Sequence, residues 1–300
     1  MKGPQIITRA EGDPEEDNQY WELVEIIDCD YEEETTGHLV DTQWGQNGPW
    51  NNFIPYKSGN SGERCLAGCM AVAGAQLFRH LHFDIGKPME CYTGGVFSGD
   101  RNGFSAEFTN PSSVAWSDMA LNKVDFFKNY DLSALMVAWV AYKVLPDLLR
   151  FDTDQTAGSI IKMKNLLDDL GITYTEDDYD DMENHISFYL VNRHQPCLVT
   201  ANTTMIPLPR TGHAWLIDGY CKETFYYKYI YRWTSRTDNH LYEYDERKEE
   251  IEKVTYKYIL MNWGYEGLGD NTKYAASVNA DWQVERDDYE YNRRIIYNFD

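Results

Sequence analysis

The segments with helical periodicity all precede Gly171, and those with strand character all follow Gln195. Cys69–Leu81 is apolar on most faces and rich in Ala and Gly, which predicts a helix buried on several sides. Leu132–Val144, closed by Pro146, and Ser159–Leu170, with Ile160, Met163, Leu167 and Leu170 at helical spacing before Gly171, predict two packing helices. Beyond Gln195, the runs Cys197–Ala201, His213–Tyr220, Phe225–Trp233 and Val254–Asn262 are enriched in Thr and Tyr and separated by polar turns, the pattern of an antiparallel sheet. Helices first and a sheet second make an α+β chain, in which a cleft between the two halves can hold a ligand. No repeat of fixed period occurs, which excludes solenoids and propellers.

The 300 residues, 43% hydrophobic, suffice for a sizeable core in one large domain or two small ones. The formal net charge of -22 repels phosphate backbones and anionic lipids and argues against nucleic acid as a partner. No stretch approaches the roughly 18 unbroken apolar residues of a membrane span. The start Met1-Lys2-Gly3-Pro4 lacks an apolar signal core, so an exported form would need a signal or lipid anchor beyond this sequence. Cys29, Cys65, Cys69, Cys91, Cys197 and Cys221 have neither the density of a disulfide scaffold nor the spacing of a zinc site. They predict mostly buried thiols, with no metal and no cofactor.

Residues 1–37 are acidic around one apolar patch, Trp21–Ile27, and read as a leader, either the remnant of a pro-segment or a solvated tail. Residues 38–300 form the main domain. Gly, Asn, Pro, Ser and Trp dominate from Thr42 to Gly62, which predicts loop. The run Asp177-Asp178-Tyr179-Asp180-Asp181 lacks the ligand spacing and glycine of a calcium loop and reads as a solvated turn.

Cys69 follows Gly68 and opens the small-residue helix, where unpaired N–H groups and the macrodipole are expected to lower its pKa and favour the thiolate nucleophile. His213 begins the apolar strand Gly212-His213-Ala214-Trp215-Leu216-Ile217-Asp218-Gly219, at a loop-to-strand junction. It is the one of seven histidines placed to serve as base; His80 and His82 lie at the far end of the Cys69 helix, and His38, His185, His194 and His240 sit in polar segments. Asn262 ends the strand Tyr258–Asn262 beside Trp263 and can orient the imidazole. The Cys69 N–H and the Gln46 amide would complete an oxyanion hole, although taken alone Gln46 is a loop glutamine.

Four segments in this order resemble the streptopain family of secreted bacterial cysteine peptidases, a branch of the papain-like superfamily. Trp44-Gly45-Gln46…Pro49-Trp50-Asn51 is similar to the family's W-x-Q-x-x-P-Y-N, and Gly68-Cys69-Met70-Ala71-Val72-Ala73…Ala75-Gln76 to G-C-V-A-T-A-x-A-Q. Gly212–Gly219 resembles G-H-A-F-V-I-D-G, and Asn262-Trp263-Gly264-Tyr265-Glu266-Gly267 resembles N-W-G-W-G-G. The likeness spans roughly residues 38–280. It implies a two-lobed papain-like fold, the helical lobe carrying the nucleophile helix and the antiparallel lobe carrying His and Asn. It assigns Cys69 as nucleophile, His213 as base and acid, Asn262 as orienter and Gln46 as oxyanion donor, with Trp263, Gly212 and Ser159 at the substrate. It further implies protein or peptide substrates, a pro-segment in the cleft, a dedicated inhibitor as a second candidate partner, and a secreted, periplasmic or cell-surface location in a bacterium. Tyr265, Glu266 and Trp50 depart from the pattern, and a Tyr-rich insert near 222–255 reads as an extra β-hairpin whose aromatics pack the sheet.

Two other readings share these residues. A papain-like acyltransferase of transglutaminase type would end on an amine acceptor, but such sites usually employ Asp where Asn262 stands. A non-catalytic surface binding protein would be favoured by loss of one of the four positions, and all four are filled.

Overall fold

The protein, a computed structural model, is described for residues 19–56, 62–87, 95–101, 104–110, 116–145, 151, 156–179, 185–205, 212–237, 240–277, 282–284 and 287–300. Cys91, Pro146, Asp180 and Asp181 lie outside these.

Among the described residues, three α-helices and a largely later set of antiparallel strands bear out the α+β reading. Helix α1 spans Cys69–Arg79 and buries every residue from Met70 onward, and a π-helical turn, His80–Asp84, extends it. Helix α2, Tyr130–Val144, starts two residues before the predicted boundary because the Asn129 side chain accepts from the N–H groups of Asp131 and Leu132. Helix α3 spans Ile160–Asp169, capped by Ser159.

The strands are β1 (Gln19–Thr35), β2 (Gly95–Arg101), β3 (Phe104–Asn110), β4 (Thr175–Asp178), β5 (Cys197–Asn202), β6 (Gly212–Thr237), β7 (His240–Asn262), β8 (Tyr274–Ala275), β9 (Gln283–Val284), β10 (Asp287–Asp288) and β11 (Tyr291–Tyr297). The main sheet runs β4-β11-β5-β6-β7-β8, and β1 pairs with β6. Ala201 on β5 stands opposite His213 on β6, and Leu198 opposite Leu216. Along β5, β6 and β11, side chains alternate between two cores. Leu198, Ala214, Leu216 and Ile296 join the helices, whereas Cys197, Val199, Trp215, Ile217 and Ile295 join an aromatic cluster with Trp263, Trp282 and Tyr289.

The chain divides into two compact units: the residues up to Glu34 with Lys222–Lys257, and Thr35–Cys221 with Tyr258–Asp300. In the first, Phe225 lies 5.1 Å from Tyr31 and 5.9 Å from Tyr256, and Trp21 meets Trp233 edge-on at 5.1 Å. Lys228–Glu249 and Lys222–Glu34 pair at 2.8 and 3.2 Å.

Two local expectations change and one holds. Residues 19–35 of the expected leader are strand β1, because a partner on β6 supplies the hydrogen bonds that its acidic sequence does not advertise. The Tyr-rich insert is the extra β-hairpin expected: the consecutive strands β6 and β7, neighbours in the sheet, carry it, and Lys222–Lys257 fall in the first compact unit. Thr175–Asp178 is an edge strand rather than a turn, paired with β11 and neutralised by Lys164 on Glu176 (2.7 Å) and Arg294 on Glu176 and Asp178 (3.0 and 3.2 Å).

Candidate active site

Four segments converge around the N-terminus of α1. Gly68 precedes Cys69 with φ +96, where a Cβ would sit 2.9 Å from the Thr156 carbonyl oxygen, so the entry to the helix admits only glycine without strain. Its carbonyl accepts from Ala71 and Val72 at 3.1 Å, which starts the helix. Cys69 is largely buried, and the N–H groups of Ala214, Met70 and Cys69 itself stabilise its thiolate. Burial nevertheless outweighs them and pushes the thiol above its ordinary pKa. The shift is opposite in direction to the lowering expected at a helix N-terminus, because desolvation exceeds the three N–H hydrogen bonds.

His213 is buried on β6, next to the Ala214 N–H that reaches Cys69. Its ring lies near-parallel to Tyr265 (4.8 Å), Tyr289 (5.4 Å) and Trp215 (5.8 Å). Burial lowers its pKa to about 4, against the opposing hydrogen bond to the Trp263 carbonyl. Burial thus shifts the two groups in opposite directions, the Cys69 thiol up and the His213 imidazole down. Nε2 lies 2.9 Å from the Trp263 oxygen, which can only accept, so Nε2 carries the proton and Nδ1 keeps the lone pair. The Tyr265 hydroxyl stands 3.4 Å from Nδ1.

Asn262, expected to orient the imidazole, makes its hydrogen bonds elsewhere. Its Nδ2 donates to the Thr42 carbonyl at 2.6 Å, and its Oδ1 accepts from Gln76 at 3.0 Å and from the Gly264 N–H at 3.3 Å. A fully buried amide binds the nearest partners, and these sit on the loop before Gln46 and on α1. The imidazole is oriented by the main chain one residue later. Trp263, expected at the substrate, is fully buried in the aromatic core, with its indole N–H 3.1 Å from the Tyr274 hydroxyl.

Gln46 is half-buried, and its carbonyl accepts the Ala67 N–H at 3.0 Å, fastening this loop to the strap before Cys69. With Gly45, Asn47, Leu66, Tyr265 and Glu266 it lines a pocket of about 160 Å³. Glu266 pairs with Lys123, and its N–H reaches the Trp44 carbonyl at 3.3 Å. Gly212 is exposed at the start of β6. The Ser159 hydroxyl accepts from the Lys162 N–H at 3.4 Å as the cap of α3.

Gln76, Tyr265 and Tyr289 were not assigned roles from sequence. Gln76, fully buried, accepts the Trp44 N–H at 3.0 Å while donating to Asn262, so one side chain joins the nucleophile helix, the Gln46 loop and the end of β7. Its signal was available: a lone amide two turns after Cys69, on the same face of an otherwise apolar helix. Tyr289 lies at the far end of the chain, and no local pattern marks it.

The model of the peptidase C10 family matches residues 44–272. Two solved structures from Prevotella intermedia are similar in fold. Active wild-type interpain A cysteine protease aligns at TM-score 0.50 and 18% identity, covering 87% of this chain and 94% of that one. A prointerpain A fragment aligns at TM-score 0.52 and 18% identity, covering 92% and 76%. No curated protein matches.

Proposed function

The chain belongs to the peptidase C10 family, the streptopain family, and is a cysteine-type peptidase; from that premise we propose that Cys69 and His213 are its catalytic pair. The observation that carries this is the fixed tautomer of His213. With Nε2–H held on the Trp263 carbonyl, Nδ1 is the basic atom, on a residue adjoining the Ala214 N–H that reaches the Cys69 sulfur.

In the proposed reaction Nδ1 takes the thiol proton as Sγ attacks the scissile carbonyl carbon. The negative charge moves to the carbonyl oxygen, where the Cys69 N–H and the Gln46 side-chain amide donate to it. Collapse of the intermediate breaks the C–N bond, the leaving amine takes the proton from His213, and a Cys69 thioester remains. Water, deprotonated by the same nitrogen, releases the acid and restores the thiol. Asn262 acts one step back, holding the turn that presents the Trp263 carbonyl. Gly212 and the backbone near Ser159 border the substrate.

Among the described residues no helix is long and apolar enough to cross a membrane. We further propose export from a bacterium and synthesis with a pro-segment, following the family resemblance and the prointerpain likeness.

Incubation with the epoxide inhibitor E-64 under reducing conditions, then peptide mapping by mass spectrometry, tests the assignment. One adduct at Cys69, absent from unfolded protein and from His213→Ala, is the expected result. An adduct at another cysteine, or at Cys69 equally in His213→Ala, overturns it.

A further inference from the structure

A second histidine, His38, lies between two buried acids outside the catalytic pair. Its Nδ1 is 2.9 Å from Asp218 Oδ1, and its Nε2 is 2.9 Å from the main-chain oxygen of Asp270. Asp218 and Asp270 are 0% and 2% exposed. Asp218 Oδ2 also accepts the Val40 N–H at 3.3 Å. Asp270 Oδ1 accepts the Trp263 N–H at 3.1 Å, and the carbonyl of that same Trp263 holds His213. Hydrogen bonds joined by two covalent links, Asp270 from its carbonyl to its carboxylate and Trp263 from its N–H to its carbonyl, therefore connect Asp218 and His38 to His213.

The chemistry of this path is constrained. A carbonyl only accepts, so His38 Nε2 carries a proton; Nδ1 faces a carboxylate oxygen at hydrogen-bond distance, so a second proton lies between them. The cluster is neutralised internally only while it keeps that proton. Desolvation would discharge His38, yet Asp218 and Asp270 outweigh it and hold the ring above its ordinary pKa. The other titratable groups in reach are His80, which acts on Asp218, and Tyr274, which faces Asp270.

We propose that Asp270, braced by His38 and Asp218, is a positioning residue for catalysis: it fixes the 262–263 peptide by its N–H and so, through the Trp263 Cα, the next carbonyl, which aims His213 at Cys69. The proposal rests on the catalytic reading above but concerns residues that touch neither substrate nor reacting atoms. Misplacing the imidazole should cost turnover while leaving the substrate-binding surface intact.

The test measures the E-64 alkylation rate per titratable Cys69 and, independently of activity, the ¹⁵N-histidine NMR signal of the His213 Nε2–H. Asp270→Ala is expected to slow alkylation about tenfold or more and to speed solvent exchange of that proton. Asp270→Asn, which keeps an acceptor for the Trp263 N–H, is expected to restore most of both. His38→Gln should also remove an alkaline limb from the rate profile, since the proton shared with Asp218 is gone. If Asp270→Ala leaves the per-site rate and the NMR signal unchanged, or if Asp270→Asn is as impaired as Asp270→Ala, the proposal is overturned. A changed NMR signal in a protein that E-64 never alkylates would support the relay and reject the peptidase assignment.

Discussion

Replacing Gln76 with leucine should destabilise the protein by about 2–4 kcal/mol. Leucine fills nearly the same volume, so the loss is in hydrogen bonds rather than in a cavity. The substitution strands the Trp44 N–H, which donates to Gln76 at 3.0 Å and has no water to turn to in a fully buried position. An orphaned donor of this kind costs about 1–3 kcal/mol. It also deletes the 3.0 Å bond to Asn262 Oδ1, worth about 1 kcal/mol because Asn262 retains the Gly264 N–H and the Thr42 carbonyl. Urea unfolding followed by tryptophan fluorescence, on a Cys69→Ala background to prevent self-cleavage, measures the difference. A change under about 0.5 kcal/mol would refute the reasoning, since Trp44 would then have found another partner. In the active protein the same substitution should lower kcat/KM beyond what the unfolded fraction explains, because the tie between the Gln46 loop and the nucleophile helix is cut.

His213 gives a pH signature. Its folded pKa of about 4 lies below the reference 6.5, so the unfolded chain takes up the proton first and stability from this group, full above pH 6.5, is lost as pH falls toward 4. The limit is about 3 kcal/mol. Asp270, raised by burial to about 7, has the opposite slope from 3.8 upward, so the test compares urea midpoints of wild type and His213→Gln at pH 7 and pH 4.5, and equal pH dependence in both would reject it. Gly158→Ala would place a Cβ 2.2 Å from that of Met70, displacing the start of α1, and should cost about 1–3 kcal/mol and most of the E-64 reactivity; a fully reactive variant would show that the loop yields instead. Ser159→Ala removes only a helix cap, so about 1 kcal/mol of stability should go while the alkylation rate per site is kept.

What could be read from the chain follows the range of each interaction. Helix α1 and the strand around His213 announce themselves through local composition, and the segments containing Gln46, Cys69, His213 and Asn262 through short motifs. The direction of a buried side chain depends on what packs there. Sequence places a polar residue at the end of β7, but only the meeting of β7 with α1 decides that the Asn262 amide binds Gln76 and Thr42 while the Trp263 carbonyl takes His213. The raised pKa of Cys69 is a matter of burial depth, which the macrodipole argument does not contain. His38 lies among exposed-looking neighbours, and its partners come from about 180 and 232 positions away. Strand β1 is acidic and uneven, and pairing with β6 is what defines it.

The two-sided burial of the central strands also bears on how the fold finds its alignment. Polarity usually marks which face of a strand turns inward, and a slip by one residue is punished by exposing apolar groups. On β5 and β6 both faces are apolar, so a slip exchanging Leu216 with Trp215, or Leu198 with Val199, would bury as much hydrocarbon as before. Shape must discriminate instead: Ala214 and Leu216 meet closely packed helices, and Trp215 requires the roomier aromatic side. Alignment of the strand that carries His213 is thus enforced by bulk, and small-to-large exchanges at Ala214 or Ala201 threaten it more than polar substitutions at the surface would.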